Sequence, residues 1–435
     1  MRRRSATAPF QGAAGMRTPS SHHLLARFRA AIFSTQPECF SRRQGIMPPA
    51  VAMLVLLSLS CSQLRGGYET ILISLFTTLG AQLGWKDGPA ASTFCRARKK
   101  ITPELFDALR CEIMRIAEPT LMRMAPRIRD QRVLAIDGSW IDVPKSRALK
   151  LLLGLHRFGP HRTAKKRPQV LLVVITNALT RMPIARVVLR GNGSERDGAD
   201  QLMPYLEKDD ILLADRGYPS RAFIGALVMT GCRFVVRMQS GKSAFSEVRG
   251  IQKRRVRDAY AKIKTPDQDL ILRHVRASGG PGRPRRNSSR QTLFLLTNLT
   301  STYSPRRIEA IYRHRWGIET MFRELKCTLQ AESIHAQSLE GVVQELDAML
   351  LHLTMAAILE IAAVAEMIDH ADLASWRRYH SVNRTSMLAI IASMLLSDGS
   401  DDASKRGAAA ATRSAERAPR RRLGRFYPRK PKKFG

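Results

Sequence analysis

Acidic residues are scarce in this chain: 36 Asp and Glu stand against 72 Lys and Arg in 435 residues. A net charge of +36 repels itself unless a polyanion neutralises it, which narrows the partner to nucleic acid or an anionic membrane. Cysteine is also sparse. The six cysteines (39, 61, 95, 111, 232 and 327) form no Cys-x-x-Cys pair and have no partnering His spacing. That excludes a zinc site and a disulfide framework and fits a reducing cytoplasm. No Gly-x-x-x-x-Gly-Lys segment is present, so a P-loop nucleotide site is excluded. The apolar stretch Ile46–Leu64 is broken by Pro48-Pro49, carries three Ser and a Gln, and is closed by Arg65-Gly-Gly. It reads as a buried core helix, not as the roughly 20 apolar residues of a membrane span.

What is there is more specific. The stretch Tyr312–Lys326 follows Ser304-Pro305, a cap and first-turn signal, and contains no proline. On a continuous helix turning roughly 100° per residue, with Tyr312 at the origin, Arg315 falls at about −60°, Glu319 at about −20° and Lys326 at about −40°. One tyrosine, one carboxylate and two cations thus share a stripe about 60° wide and about 21 Å long. An ordinary amphipathic helix turns apolar residues inward. This one aligns a carboxylate between cations, which suits a metal-binding acid with phosphate contacts on either side. Taken alone, the stripe is equally a solvated face with an i,i+4 Arg–Glu pair worth about 0.2–0.5 kcal/mol.

Two other segments repeat a different pattern. Val133-Leu-Ala-Ile-Asp137-Gly and Ile211-Leu-Leu-Ala-Asp215-Arg-Gly each run four apolar residues into an aspartate with a glycine close behind. Short apolar runs bounded by turn signals read as buried strands. Aspartate disfavours strands, so both acids are expected at strand exits, where a sheet delivers residues to its edge. Two such aspartates and a helix glutamate can hold a pair of hard divalent cations for in-line attack on a phosphodiester.

With these residues the chain resembles the IS-four group of bacterial insertion-sequence transposases. The group's signature is Tyr, two residues, Arg, three, Glu, six, Lys, matched by Tyr312, Arg315, Glu319 and Lys326. Its Asp-Arg-Gly-Tyr matches Asp215-Arg216-Gly217-Tyr218, and its Asp-Gly-Ser/Thr matches Asp137-Gly138-Ser139. The resemblance covers about residues 24–370, with its core in 130–330. It implies an α/β fold: a ribonuclease-H-like mixed sheet flanked by helices, with a β-rich insertion before the glutamate helix and helical regions at both ends. It further implies that Asp137, Asp215 and Glu319 are the catalytic and metal-binding triad, holding two Mg²⁺ ions for which Mn²⁺ can substitute. Arg315 and Lys326 are then clamps on backbone phosphates, and Tyr312 stacks on a flipped base or orients an acid. Arg216 and Tyr218 are expected beside the DNA, with a carboxylate partner for Arg216 and simple packing for Tyr218 as alternatives. The activity implied is cut-and-paste transposition of an insertion sequence. The implied partner is double-stranded DNA, as terminal inverted repeats and target, bound by a homodimer in the bacterial cytoplasm at the nucleoid. Neither a membrane nor a nucleotide cofactor is implied.

Along the chain, residues 1–23 read as a disordered basic lead and 24–125 as an N-terminal helical DNA-binding domain. Within the latter, Arg96, Arg98, Lys99 and Lys100 suit phosphates, and a purely structural bundle is the alternative. Residues 130–237 and 304–335 are the expected catalytic domain, 238–303 the β-rich insertion and 336–400 a C-terminal helical layer. Residues 401–435, ending in Arg and Lys runs, read as a disordered basic tail. The basic segment Lys145–Arg167 carries His156 and His161 in what reads as a solvated loop. Two competing functions stay open: a nuclease of the same fold without strand transfer, and a non-catalytic, domesticated DNA-binding repressor.

Overall fold

The bracketed apolar runs assemble into one mixed sheet. Its strands are β1 (Val133–Asp142), β2 (Gln169–Asn177), β3 (Pro183–Leu189), β4 (Ile211–Ala214), β5 (Arg233–Met238), β6 (Asp258–Lys264), β7 (Asp269–Ser278) and β8 (Thr292–Thr297). They lie in the order β3-β2-β1-β4-β5-β8-β7-β6. This computed structural model describes residues 19–34, 47–60, 67–155, 167–191, 193–278, 292–368, 380 and 382–418. The basic lead up to residue 18, His156, His161 and residues 419–435 lie outside the described residues.

β1 pairs antiparallel with β2 and parallel with β4, β2 pairs antiparallel with β3, and β4 pairs parallel with β5. Five strands in the order 3-2-1-4-5, of which only the second runs backwards, make the ribonuclease-H-like sheet expected above. β2 is buried along its whole length, as befits a strand covered on both faces. Alternation decides which core each residue enters. Ala135, Leu172 and Val174 face one cluster, while Leu134, Ile136 and Val173 face the other.

The first cluster is the larger. It joins the sheet to α2 (Pro49–Leu59), α5 (Pro103–Met124) and α12 (Leu339–Met367). α12 is long and apolar enough to cross a bilayer, but it is wrapped by other helices and 89% of its apolar window is buried. That is where a helix apolar on all sides belongs in a globular core. The second cluster holds α7 (Glu195–Leu202), α8 (Arg221–Met229), which crosses between the parallel strands β4 and β5, and α9 (Ser246–Lys253).

Two findings differ from expectation. The strands of segment 238–303 continue the main sheet, β8 pairing antiparallel with β5 and β7 with β8. β6 closes this edge, and neither it nor α9 was anticipated, because both are short and polar on one side. The second difference corrects the disordered tail expected for 401–435. Asp401–Glu416 forms a helix, packed with α12, α1 (Ser21–Phe33) and α13 (Arg384–Leu395). Ser400 caps it, two aspartates fill its first turn, and Ser404, Ala408, Ala411 and Ala415 are buried at helical spacing. The charge run obscured that stripe of small residues.

Candidate active site

The register of the sheet brings two aspartates together. Ile136 of β1 lies beside Ala214 of β4, and the next residue on each parallel strand is Asp137 or Asp215. Adjacent strands are about 4.8 Å apart, so the two acids are neighbours by construction. Asp215 does sit at a strand exit. Asp137 does not: β1 runs on to Asp142, held by β2. Asp137 instead marks where β1 outruns the shorter β4.

The glutamate stretch corrects the single continuous helix on which the stripe was drawn. It consists of α10 (Pro305–Arg313) and α11 (Trp316–Arg323), joined by a tight turn in which Arg315 N–H donates to Tyr312 and Ile318 N–H to Arg315, three residues back. From Glu324 to Thr328 the helix then widens to i→i+5 bonding. Overwinding at one end and underwinding at the other invalidate a uniform turn per residue. The contacts nonetheless converge. The Arg315 guanidinium meets Glu319 Oε1 at 2.5 Å and Asp137 Oδ2 at 3.7 Å. The Tyr312 hydroxyl donates to Asp215 Oδ1 at 3.4 Å, and Arg237 Nη1 lies 3.4 Å from the same oxygen. Gly317 lets α11 approach this closely, since a Cβ there would stand 2.2 Å from the Ala178 carbonyl oxygen.

The electrostatics separate the two aspartates. Burial, with the negative charge of Glu195 beside it, pushes Asp137 up to about 7, Arg315 offsetting only part of this. Burial also acts upward on Asp215, but the Arg216 backbone N–H, Arg315 and Arg237 outweigh it and hold this acid below its ordinary value. All the donors are carboxylate oxygens, a set that fits a hard divalent cation. Among the described residues no three acids stand close enough to enclose an ion as they are. The positive charge in their midst is supplied by Arg315.

The family profile of the transposase DDE domain matches residues 128–355, more than half of the chain and the whole of this site. The chain belongs to the transposase DDE domain family. Its activity is accordingly that of a transposase, an enzyme that cuts and moves DNA. The transposase is also similar to a solved structure, the piggyBac transposase synaptic complex with hairpin DNA. That match has 12% identity, covers 88% of this chain and 78% of the other, and has a TM-score of 0.47. Among curated proteins none matches.

Other expected residues of the transposase fall elsewhere. Lys326 donates to the Trp140 carbonyl at 2.6 Å and pairs with Glu332 at 3.0 Å, bracing the helix against β1 instead of standing ready for a phosphate. Tyr218 is completely buried and packs against Phe223, so stacking on a base is ruled out in this conformation. Arg216 is exposed and, among the described residues, has no ion pair, which removes the carboxylate-partner alternative. Arg98, on α4 (Ala91–Arg98), is corrected from phosphate contact to structural tie. It is buried, with Nε on Gln344, Nη1 on Glu345 and Nη2 on the Gly341 carbonyl. Arg96, Lys99 and Lys100 are exposed around it. Two further acids, one on β1 and one in the glutamate stretch, are engaged elsewhere: Asp142 pairs with Arg167, and Glu324 with Arg181. Three residues at or beside the site went unforeseen. They are Glu195, Arg237 and Trp316, the last 62% exposed beside Arg315. Only Trp316 left a signal, an aromatic within the spaced signature.

Proposed function

We propose that this transposase is a member of the IS-four group and moves an insertion sequence by cut-and-paste. In this reading it acts as a homodimer on double-stranded DNA, in the bacterial cytoplasm. The observation that supports it best is the meeting, around Arg315, of two aspartates from adjacent parallel strands and a glutamate from α11. Asp137, Asp215 and Glu319 would hold Mg²⁺, in a pair of ions, with Mn²⁺ able to substitute. When bound, such cations activate the attacking oxygen and stabilise the leaving one. Arg315 and Arg237 hold the carboxylates apart and oriented through their ion pairs, and Tyr312 fixes the Asp215 oxygen it donates to. Exposed Arg216 and Trp316 offer a cation and an aromatic face at the rim, suited to a phosphate and an unstacked base. Hydrolysis frees a 3′-OH, and attack of that hydroxyl on target DNA exchanges one phosphodiester for another, so no ATP is consumed.

The test uses a DNA fragment ending in the sequences that flank the gene, pre-cleaved to expose its 3′-OH. It is mixed with supercoiled plasmid, the purified protein and Mg²⁺. Joined products are expected. Cleavage of an uncut fragment run in parallel, without joining of the pre-cleaved one, would mean a nuclease, and binding without cleavage a repressor.

A further inference from the structure

Glu195 stands at the first position of α7, yet the helix does not use its carboxylate. Ser194 and Asp197 close the cap between them: Ser194 Oγ accepts from the Asp197 N–H at 3.2 Å, and the Asp197 carboxylate accepts from the Ser194 N–H at 2.9 Å. Three other contacts hold Glu195 against the acids. Gly198 presses α7 onto β2, where a Cβ would come within 2.5 Å of Val173. Gly138, the residue after Asp137, leaves the space that the Glu195 side chain fills, a Cβ there lying 2.6 Å from Glu195 Cγ. Arg196 Nε donates to the Gly217 carbonyl at 2.9 Å, tying the start of α7 to the loop behind Asp215.

Two features of this placement call for a ligand. The first is the missing cation. Arg315 and Arg237 are spent on Asp137, Glu319 and Asp215, and among the described residues Glu195 has no ion pair. Three carboxylates against two guanidiniums leave a single net negative charge, a weak trap for a dication, and Glu195 doubles it. The second is the Tyr218 hydroxyl. It is completely buried and faces Glu195 without completing a hydrogen bond of ordinary geometry. A buried O–H left in that state is destabilising.

We propose that Glu195 is a fourth carboxylate of the divalent-cation centre, sharing a cation with Asp137. This rests on the reading of Asp137, Asp215 and Glu319 as a cation site. Glu195 comes from α7, an element the spaced signature does not touch.

The experiment is Mn²⁺ titration of the full chain without DNA, followed by calorimetry and by loss of the free-ion resonance signal. It compares the wild type, Glu195→Gln and Asp137→Asn. Glu195→Gln is expected to weaken Mn²⁺ binding by about tenfold or more while leaving the Mn²⁺-free melting temperature unchanged. Wild-type affinity in Glu195→Gln, with binding lost in Asp137→Asn, overturns the role of Glu195 and leaves the cation site standing. Wild-type affinity in both variants overturns the cation site itself. Should Glu195→Gln not fold, Glu195→Asp carries the test, since it keeps the charge but draws it back by one methylene. Weakened binding there supports the proposal, and unchanged binding overturns it.

Discussion

Two arginine–carboxylate clusters in this transposase use the same chemistry to opposite ends. At the contact between α4 and α12, the Arg98 guanidinium and both Glu345 oxygens are satisfied. Arg98 donates to Gln344, Tyr68, Glu345 and the Gly341 carbonyl, and the second Glu345 oxygen accepts from the His335 N–H. Where Asp137 and Asp215 meet at the sheet, the contacts are looser. Arg315 lies 3.7 Å from Asp137 with its Nε unpartnered, Arg237 and Tyr312 lie 3.4 Å from Asp215, and the Tyr218 hydroxyl is left over. A saturated cluster holds helices together. An unsaturated one keeps bonding capacity for something that arrives later.

The largest effects are expected at the carboxylates. Asp137→Asn, Asp215→Asn and Glu319→Gln are each expected to reduce DNA cleavage by at least about a thousandfold with the protein still cooperatively folded. Cleavage persisting in any one of them removes that residue from the triad. Arg98→Ala should do the reverse, costing about 3–5 kcal/mol of stability because it strands a buried Glu345. Denaturant unfolding measures this. Loss of DNA affinity at unchanged stability would return Arg98 to the phosphate role.

A third outcome follows from the raised proton affinity of Asp137. Between its ordinary value of 3.8 and about 7, the native state holds a proton that the unfolded chain has released. Metal-free stability should therefore fall as pH rises through that window. Asp137→Asn should flatten the curve and gain about 2–4 kcal/mol at pH 8. Equal pH profiles for the two proteins would contradict the burial of this acid beside Glu195. The smallest effects are expected at two glycines. Gly317→Ala should cost about 1–3 kcal/mol and lower cleavage, since its methyl meets the Ala178 backbone. Gly250→Ala on α9, where a Cβ meets only Arg254 Nη2 at 3.8 Å, should stay within about 0.5 kcal/mol.

Much of the site could be read before folding was considered. Apolar runs ending in aspartate are strands for a local reason, burial on both faces, and parallel pairing then makes Asp137 and Asp215 neighbours. The spaced Tyr312, Arg315 and Glu319 lie within one stretch, so their convergence survived the break between α10 and α11. Lys326 did not follow, because it lies inside the i→i+5 segment Glu324–Thr328.

Composition, the positions of β1, β2 and β4 along the chain, and the residues of the glutamate stretch were thus matters of local pattern, set by neighbours within a few positions. Whether a given arginine is a phosphate contact or a core tie was not. Arg98 and Arg96 are two residues apart on one helix, and only the packing of α4 on α12, nearly 250 positions along the chain, separates buried from exposed. The same holds for Glu195, whose importance comes from the space beside Gly138 and the missing cation. Charge carries no meaning at a position until the fold decides how much water and which partners surround it.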